Sequence, residues 1–100
     1  MTDKSSKVVT RTSLVNEADG LVTGDRHNDY GEAADNFKRI GVGWGVILGS
    51  GPVPAWKVAL CMDWLKTCRV VEDPSKQDSW VDKIGYSALG GEVALNKKDD

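Results

Sequence analysis

Pro54-Ala55-Trp56-Lys57-Val58-Ala59-Leu60-Cys61-Met62-Asp63-Trp64-Leu65-Lys66-Thr67-Cys68-Arg69-Val70-Val71 is the stretch whose period decides the fold. Val58, Cys61, Met62, Leu65 and Cys68 recur at intervals of three and four, the spacing of one face of an α-helix. Lys57, Asp63, Lys66 and Arg69 flank that stripe. Pro54 suits the first turn, where a missing N–H costs nothing. The reading is a helix over Ala55–Val71 with one buried apolar stripe.

Working outward, Glu72–Gln77 is a polar connection containing Pro74. A further helix opens at Asp78 or Ser79. Ser79, with Asp82 three residues on, resembles a capping box in which Asp replaces the usual Glu or Gln. Val81, Ile84, Gly85, Ala88 and Leu89 form its inner face, and it frays after Leu95. On the other side, Gly49–Pro54 is a turn. The helix before it covers Glu32–Leu48, with Phe37, Ile40, Trp44 and Ile47 or Leu48 as its apolar face. Gly41, Gly43 and Gly45 each cost about 1 kcal/mol relative to Ala in such a helix. Gly41 and Gly45 share a face, and close packing of another helix would account for them; a break near Gly43 is the alternative. The first helix starts at a capping Ser13, with Asn16 and Glu17 in its first turn. Its stripe is Leu14, Val15, Ala18, Leu21 and Val22, and Gly24 is its stop. No segment alternates with a period of two. The expectation is an all-α, compact bundle of about four helices with antiparallel neighbours. Residues 13–95 form one domain between a flexible arm, 1–12, and a flexible tail, 96–100.

The chain has 100 residues, 13 basic and 15 acidic, and a formal net charge of −2. That balance argues against duplex nucleic acid as a partner. No apolar run reaches the ~18 residues of a membrane helix. Met1–Thr12 lacks the apolar core of a signal peptide, which points to the cytoplasm. Four Trp in so short a chain either fill one core or serve an interface, and a homo-oligomer is expected on the second reading. Cys61 and Cys68 are seven apart on one helix, about 10 Å along its axis, too far for a disulfide within the chain. They read as core thiols. A single His makes Cys/His zinc chemistry untenable.

Three sets of residues carry possible chemistry. Asp25–Gly31 is a polar segment read as a loop; it holds Arg26, Asp29 and Tyr30, with Asn36 just beyond. Lys66 and Arg69 lie one turn apart beside an apolar stripe. They suit a phosphate, Arg supplying a bidentate fork, or else ion pairs with Asp78, Asp82 or Asp29. Asp78 and Asp82 stack at i, i+4, with Tyr86 one turn further. Two carboxylates so placed suit Mg²⁺. They equally complement the positive start of a helix, and Asp82 equally suits a pair with Lys66 or Arg69. Tyr30, Trp80 and Tyr86 stack a base or pack a core. His27, Asp25 and Glu32 read as ordinary solvated side chains. The sequence has no phosphate loop, dinucleotide fingerprint, zinc motif or nucleophile elbow.

Taken together, these segments resemble a family of small phage, prophage and bacterial proteins of unknown function. Its first signature is matched by Arg26-His27-Asn28-Asp29-Tyr30-Gly31 with Asn36-Phe37. The second is matched by Val58-Ala59-Leu60, Met62, Leu65-Lys66 and Arg69. The third is matched by Asp78-Ser79-Trp80-Val81-Asp82, Gly85-Tyr86 and Ala88-Leu89-Gly90. More distantly, the pattern is similar to MazG-type all-α nucleotide pyrophosphohydrolases and to phage proteins associated with nucleotide modification. That likeness implies a helical bundle, a nucleoside triphosphate, Mg²⁺ and oligomers, in the cytoplasm of a bacterial host. The chain departs from it twice. The Glu-x-x-Glu and Glu-x-x-Asp metal pairs of MazG-type enzymes are missing, Asp78 and Asp82 being the nearest substitute. Lys57 stands where the family pattern carries Asp. Three functions therefore stand side by side. The first is an accessory protein that binds a nucleotide or other phosphate-bearing ligand. The second is a Mg²⁺-dependent pyrophosphohydrolase, and the third a non-catalytic structural or protein-interaction module.

Overall fold

The computed structural model describes residues 8–23 and 29–96, with the side chains of residues 29–32 outside that description. Four helices follow one another: α1 (Arg11–Thr23), α2 (Asp29–Leu48), α3 (Ala55–Glu72) and α4 (Gln77–Asn96). No strand occurs among the described residues, and the all-α bundle stands. From α2 to α4, neighbours along the chain are antiparallel. In the α3–α4 hairpin Ala59 lies against Gly90, Asp63 meets Lys83 and Lys66 meets Asp82. Helix α1 is added beside α4 and runs in the same direction, with Glu17 bonded to Gln77 and Val22 against Gly85.

Helix α1 starts two residues before the expected Ser13. Thr10 is its capping residue: the Ser13 N–H donates to Thr10 Oγ1 at 3.0 Å, and the Thr10 N–H donates to Ser13 Oγ at 2.9 Å. The exchange is that of a capping box, with Ser in the Glu or Gln position. At the start of α4 the expected box does not form. The helix opens earlier, at Gln77; Ser79 is buried and its N–H donates to the Lys76 carbonyl at 3.2 Å. Asp82 is drawn instead to Lys66.

Helix α2 is unbroken through its three glycines; Gly41 and Gly45 face the backbone of the segment after α2, and Gly41 also faces Val58 of α3. A Cβ on Gly41 would strike the Val53 carbonyl oxygen, and one on Gly45 would strike that of Gly51. The chain leaves α2 through a Schellman turn. Gly49 has φ +69°, the Ser50 N–H donates to the Gly45 carbonyl at 3.0 Å, and the Gly49 N–H donates to the Val46 carbonyl at 3.3 Å. The segment then runs back over the helix until the Val53 N–H reaches the Gly41 carbonyl at 3.0 Å. Pro54 takes the capping position of α3, one place before the first turn, with its carbonyl accepting from the Lys57 and Val58 N–H groups.

The core is small. Phe37, Val58 and Ala59 form its centre, with Ile40, Trp44, Met62, Tyr86 and Leu89 packed around them. Several positions of the expected stripes lie outside it. On α3, Cys61, Leu65 and Cys68 are exposed, so the cysteines are not core thiols; the buried residues are Val58, Ala59 and Val70. Helix α3 turns its small residues inward because α4 approaches there: a Cβ on Gly90 would lie 2.9 Å from Ala59 Cβ. On α2, Ile47 and Leu48 are exposed, since the returning segment covers the face at Gly41 and Gly45 and leaves the last turn beyond it. On α1 only Ala18 is buried, while Val15 and Leu21 are exposed. Ala88, expected inside, is exposed on α4.

Candidate functional site

Phe37 of the first sequence signature and Lys66 of the second both meet the middle of α4, which carries the third. Arg26, His27 and Asp25 lie outside the described residues. Asp29 and Tyr30 fall in the first turn of α2, not in the loop expected for them. What the structure shows of this polar segment is its two flanks. Upstream, Val22 of α1 lies against Gly85, where an added Cβ would be 3.7 Å from Val22 Cγ1. Downstream, the ring of Phe37 meets that of Tyr86, with centroids 6.2 Å apart and planes tilted by 41°. Val22 and Phe37, on either side of the segment, thus meet α4 at adjacent positions. Asn36, next to Phe37, is exposed.

Asp78, Asp82 and Tyr86 follow at intervals of four along α4, so they share a side of the helix. Asp82 Oδ2 lies 3.1 Å from Lys66 Nζ across the seam with α3, the two side chains 35% and 20% exposed. Just beside it Lys83 Nζ donates to Asp63 Oδ1 at 2.7 Å and to Thr67 Oγ1 at 2.6 Å. Two partly shielded pairs thus hold the α3–α4 seam at about its midpoint. Lys83 and Asp63 were not among the expected site residues. Their sequence signal is weak: Asp63 and Thr67 are one turn apart, and Lys83 follows Asp82.

The remaining candidates spread along the same seam. Arg69 is exposed in the last turn of α3 and makes no ion pair among the described residues. Asp78 is exposed in the first turn of α4, where its charge complements the helix start. Trp80 is 40% exposed, and its indole N–H donates to the Pro74 carbonyl at 2.8 Å, which fixes the ring over the α3–α4 turn. In that turn the Asp73 carboxylate accepts from the Ser75 hydroxyl and the Ser75 N–H. These bonds hold its pKa below the ordinary carboxylate value.

Asp82 is already matched by Lys66, and no group of three or more His, Cys, Asp or Glu stands ready for a metal among the described residues. The four Trp divide. Trp44 and Trp56 are half-buried, whereas Trp64 is 68% exposed on the outer face of α3.

No described helix is long and apolar enough to cross a membrane. No solved structure matches the chain. The Gene 55 protein of Mycobacterium phage L5 is 34% identical over 77 residues, which make up 77% of this chain and 49% of that protein. The chain thus spans about half the length of the curated relative it matches. Residues 13–94 match a family model described as a domain of unknown function, DUF6378. That span takes in the polar segment, the second signature on α3 and the third on α4, and on it the chain belongs to the DUF6378 family.

Proposed function

We propose that this chain is an accessory protein that binds a phosphate-bearing small molecule, a nucleotide by class, at the α3–α4 seam, with the polar segment Asp25–Gly31 contributing. One observation carries the reading. Val22 and Phe37, which bracket the segment holding Arg26, Asp29 and Tyr30, contact α4 at Gly85 and Tyr86, one turn from the Lys66–Asp82 pair. In this reading Arg26 and Arg69 take phosphate oxygens, the guanidinium fork suiting two at once. Lys66 joins them by exchanging the Asp82 carboxylate for a phosphate oxygen. Tyr30, Trp80 and Tyr86 offer ring surface to a base, and Asp29 and Asn36 offer hydrogen bonds to its polar edges or sugar. The protein acts by holding its ligand.

The test is a ³¹P NMR spectrum of a mixed nucleotide pool with Mg²⁺, before and after the protein is added. Selective broadening or shift of some resonances, with no new peaks, is the expected result. New pyrophosphate and monophosphate peaks would replace binding by hydrolysis and direct attention to Asp78 and Asp82. A spectrum unchanged for every nucleotide would overturn the proposal. Arg69→Glu locates the site: Arg69 is exposed, so the fold persists, and the ligand-dependent rise in Tm should disappear.

A further inference from the structure

The seam occupies one side of α3; the other side is apolar and uncovered. Leu60 is 50% exposed, Trp64 68%, Leu65 46% and Val71 78%, and Cys61 and Cys68 are exposed with them. Lys57, Cys61, Trp64, Cys68 and Val71 recur at intervals of four, three, four and three. That is the spacing at which two helices meet along a shared seam. The charges lie at the ends of the face: Lys57 in the first turn of α3, Glu72 at its last residue, both exposed.

This layout is self-complementary about a point between Trp64 and Leu65. At a rise of ~1.5 Å per residue, Cys61 and Cys68 each lie about 5 Å from that point, and Lys57 and Glu72 each about 11 Å. A two-fold axis there sets Cys61 level with Cys68 of a second copy, Lys57 level with Glu72, and the two Trp64 rings side by side at the centre. A parallel pairing would instead set Lys57 on Lys57 and Glu72 on Glu72, like charge on like. Trp is well suited to the centre of such an interface, since it covers a large area with few rotatable bonds. The opposite side of α3 is held by α2 and α4, so the face is presented on a fixed helix.

We infer that the outer face of α3 binds a second copy of this chain, the two α3 helices antiparallel about Trp64 and Leu65. The resulting interface is isologous: each copy uses the same patch. It is independent of the ligand seam, because Lys66 and Asp82 lie on the other side of α3.

The test uses the full chain. Light scattering coupled to size exclusion should give twice the chain mass for the wild type and the single-chain mass for Trp64→Glu, whose far-UV CD stays unchanged because Trp64 is exposed. Diamide oxidation reads the register, two thiols giving up two electrons and two protons to the reagent for each disulfide formed. Cys61 and Cys68 are too far apart to join within one chain, so any disulfide is intermolecular. Tryptic mapping should join the Cys61 peptide to the Cys68 peptide, and Cys61→Ala and Cys68→Ala should each abolish the crosslinked dimer. A monomer at every concentration would overturn the inference while leaving the ligand reading intact. A dimer that persists in Trp64→Glu would move the interface off this face. Cys61–Cys61 or Cys68–Cys68 links would overturn the antiparallel register.

Discussion

The two sides of α3 carry similar residues and meet opposite fates. Inside, Val58 and Ala59 are fully buried and Val70 nearly so; outside, Leu60, Trp64 and Val71 are half or more exposed. Hydrophobicity does not separate them, since the larger side chains are the ones left outside. Size does. Ala59 opposite Gly90 lets α4 come close, and Gly41 and Gly45 let the segment after α2 lie directly on that helix. The bundle closes where side chains are small and leaves its bulkiest apolar surface uncovered.

The sharpest way to break this contrast is to add one methyl group at a closed point. Gly41→Ala or Gly45→Ala drives a Cβ into a carbonyl oxygen of the returning segment, and the backbone has to move. The expected loss is about 3 kcal/mol, read from urea unfolding with the slope unchanged. Gly43→Ala is the control. No atom outside its own helix lies within 4 Å of the added Cβ, so this variant should gain up to ~1 kcal/mol. If Gly41→Ala and Gly43→Ala unfold alike, the returning segment is not held on α2 as described.

A paired truncation tests the two sides of α3 directly. Val58→Ala should cost about 2 kcal/mol, because Val58 has no exposed surface. Val71→Ala, at 78% exposure, should stay within ~0.5 kcal/mol of wild type in the monomeric Trp64→Glu background. Equal effects would mean that the outer face is covered within the monomer.

The ion pairs of the seam are the next smaller effect. Lys83→Met removes the partner of Asp63 and Thr67, and a loss of ~1 kcal/mol is expected, since the pair is about a quarter exposed. Its salt dependence distinguishes charge from packing: the loss should shrink as ionic strength rises. The smallest effect is the Asp73 turn. The Asp73 pKa is lowered in the folded chain, so its contribution is present above the unfolded value of about 3.9 and fades as pH falls through the folded value. Asp73→Asn should therefore lower Tm slightly at neutral pH and flatten the acid side of the Tm-versus-pH curve, so that variant and wild type converge as pH falls.

Much of this architecture was legible in residue spacing and punctuation. The period of Val58 to Cys68 and the Gly49–Pro54 turn give the helices and their antiparallel order. The oddity of Gly41 and Gly45 correctly announces a close backbone approach, but spacing does not say that the visitor is the helix's own continuation. Nor does it separate two apolar stripes on one helix, which is why Cys61, Leu65 and Cys68 read as core. That choice depends on which neighbour fits closest, a contact between residues distant in sequence. For the site, the Lys66–Asp82 pair was among the foreseen alternatives. Lys83 with Asp63 was missed, because no local pattern links positions twenty residues apart.

The order of contacts along the chain also bears on how it acquires its shape. From α2 to α4 each helix packs on the next, and the returning segment ties Val53 to Gly41 only twelve residues away. Such local closures cost little chain entropy and can form within microseconds to milliseconds. Helix α1 is different: its Gln77–Glu17 bond spans 60 residues. The bundle should therefore assemble as a three-helix meander onto which α1 docks last. Substitutions at Val53 or Gly41 would then slow folding, whereas those at Ala18 would chiefly speed unfolding.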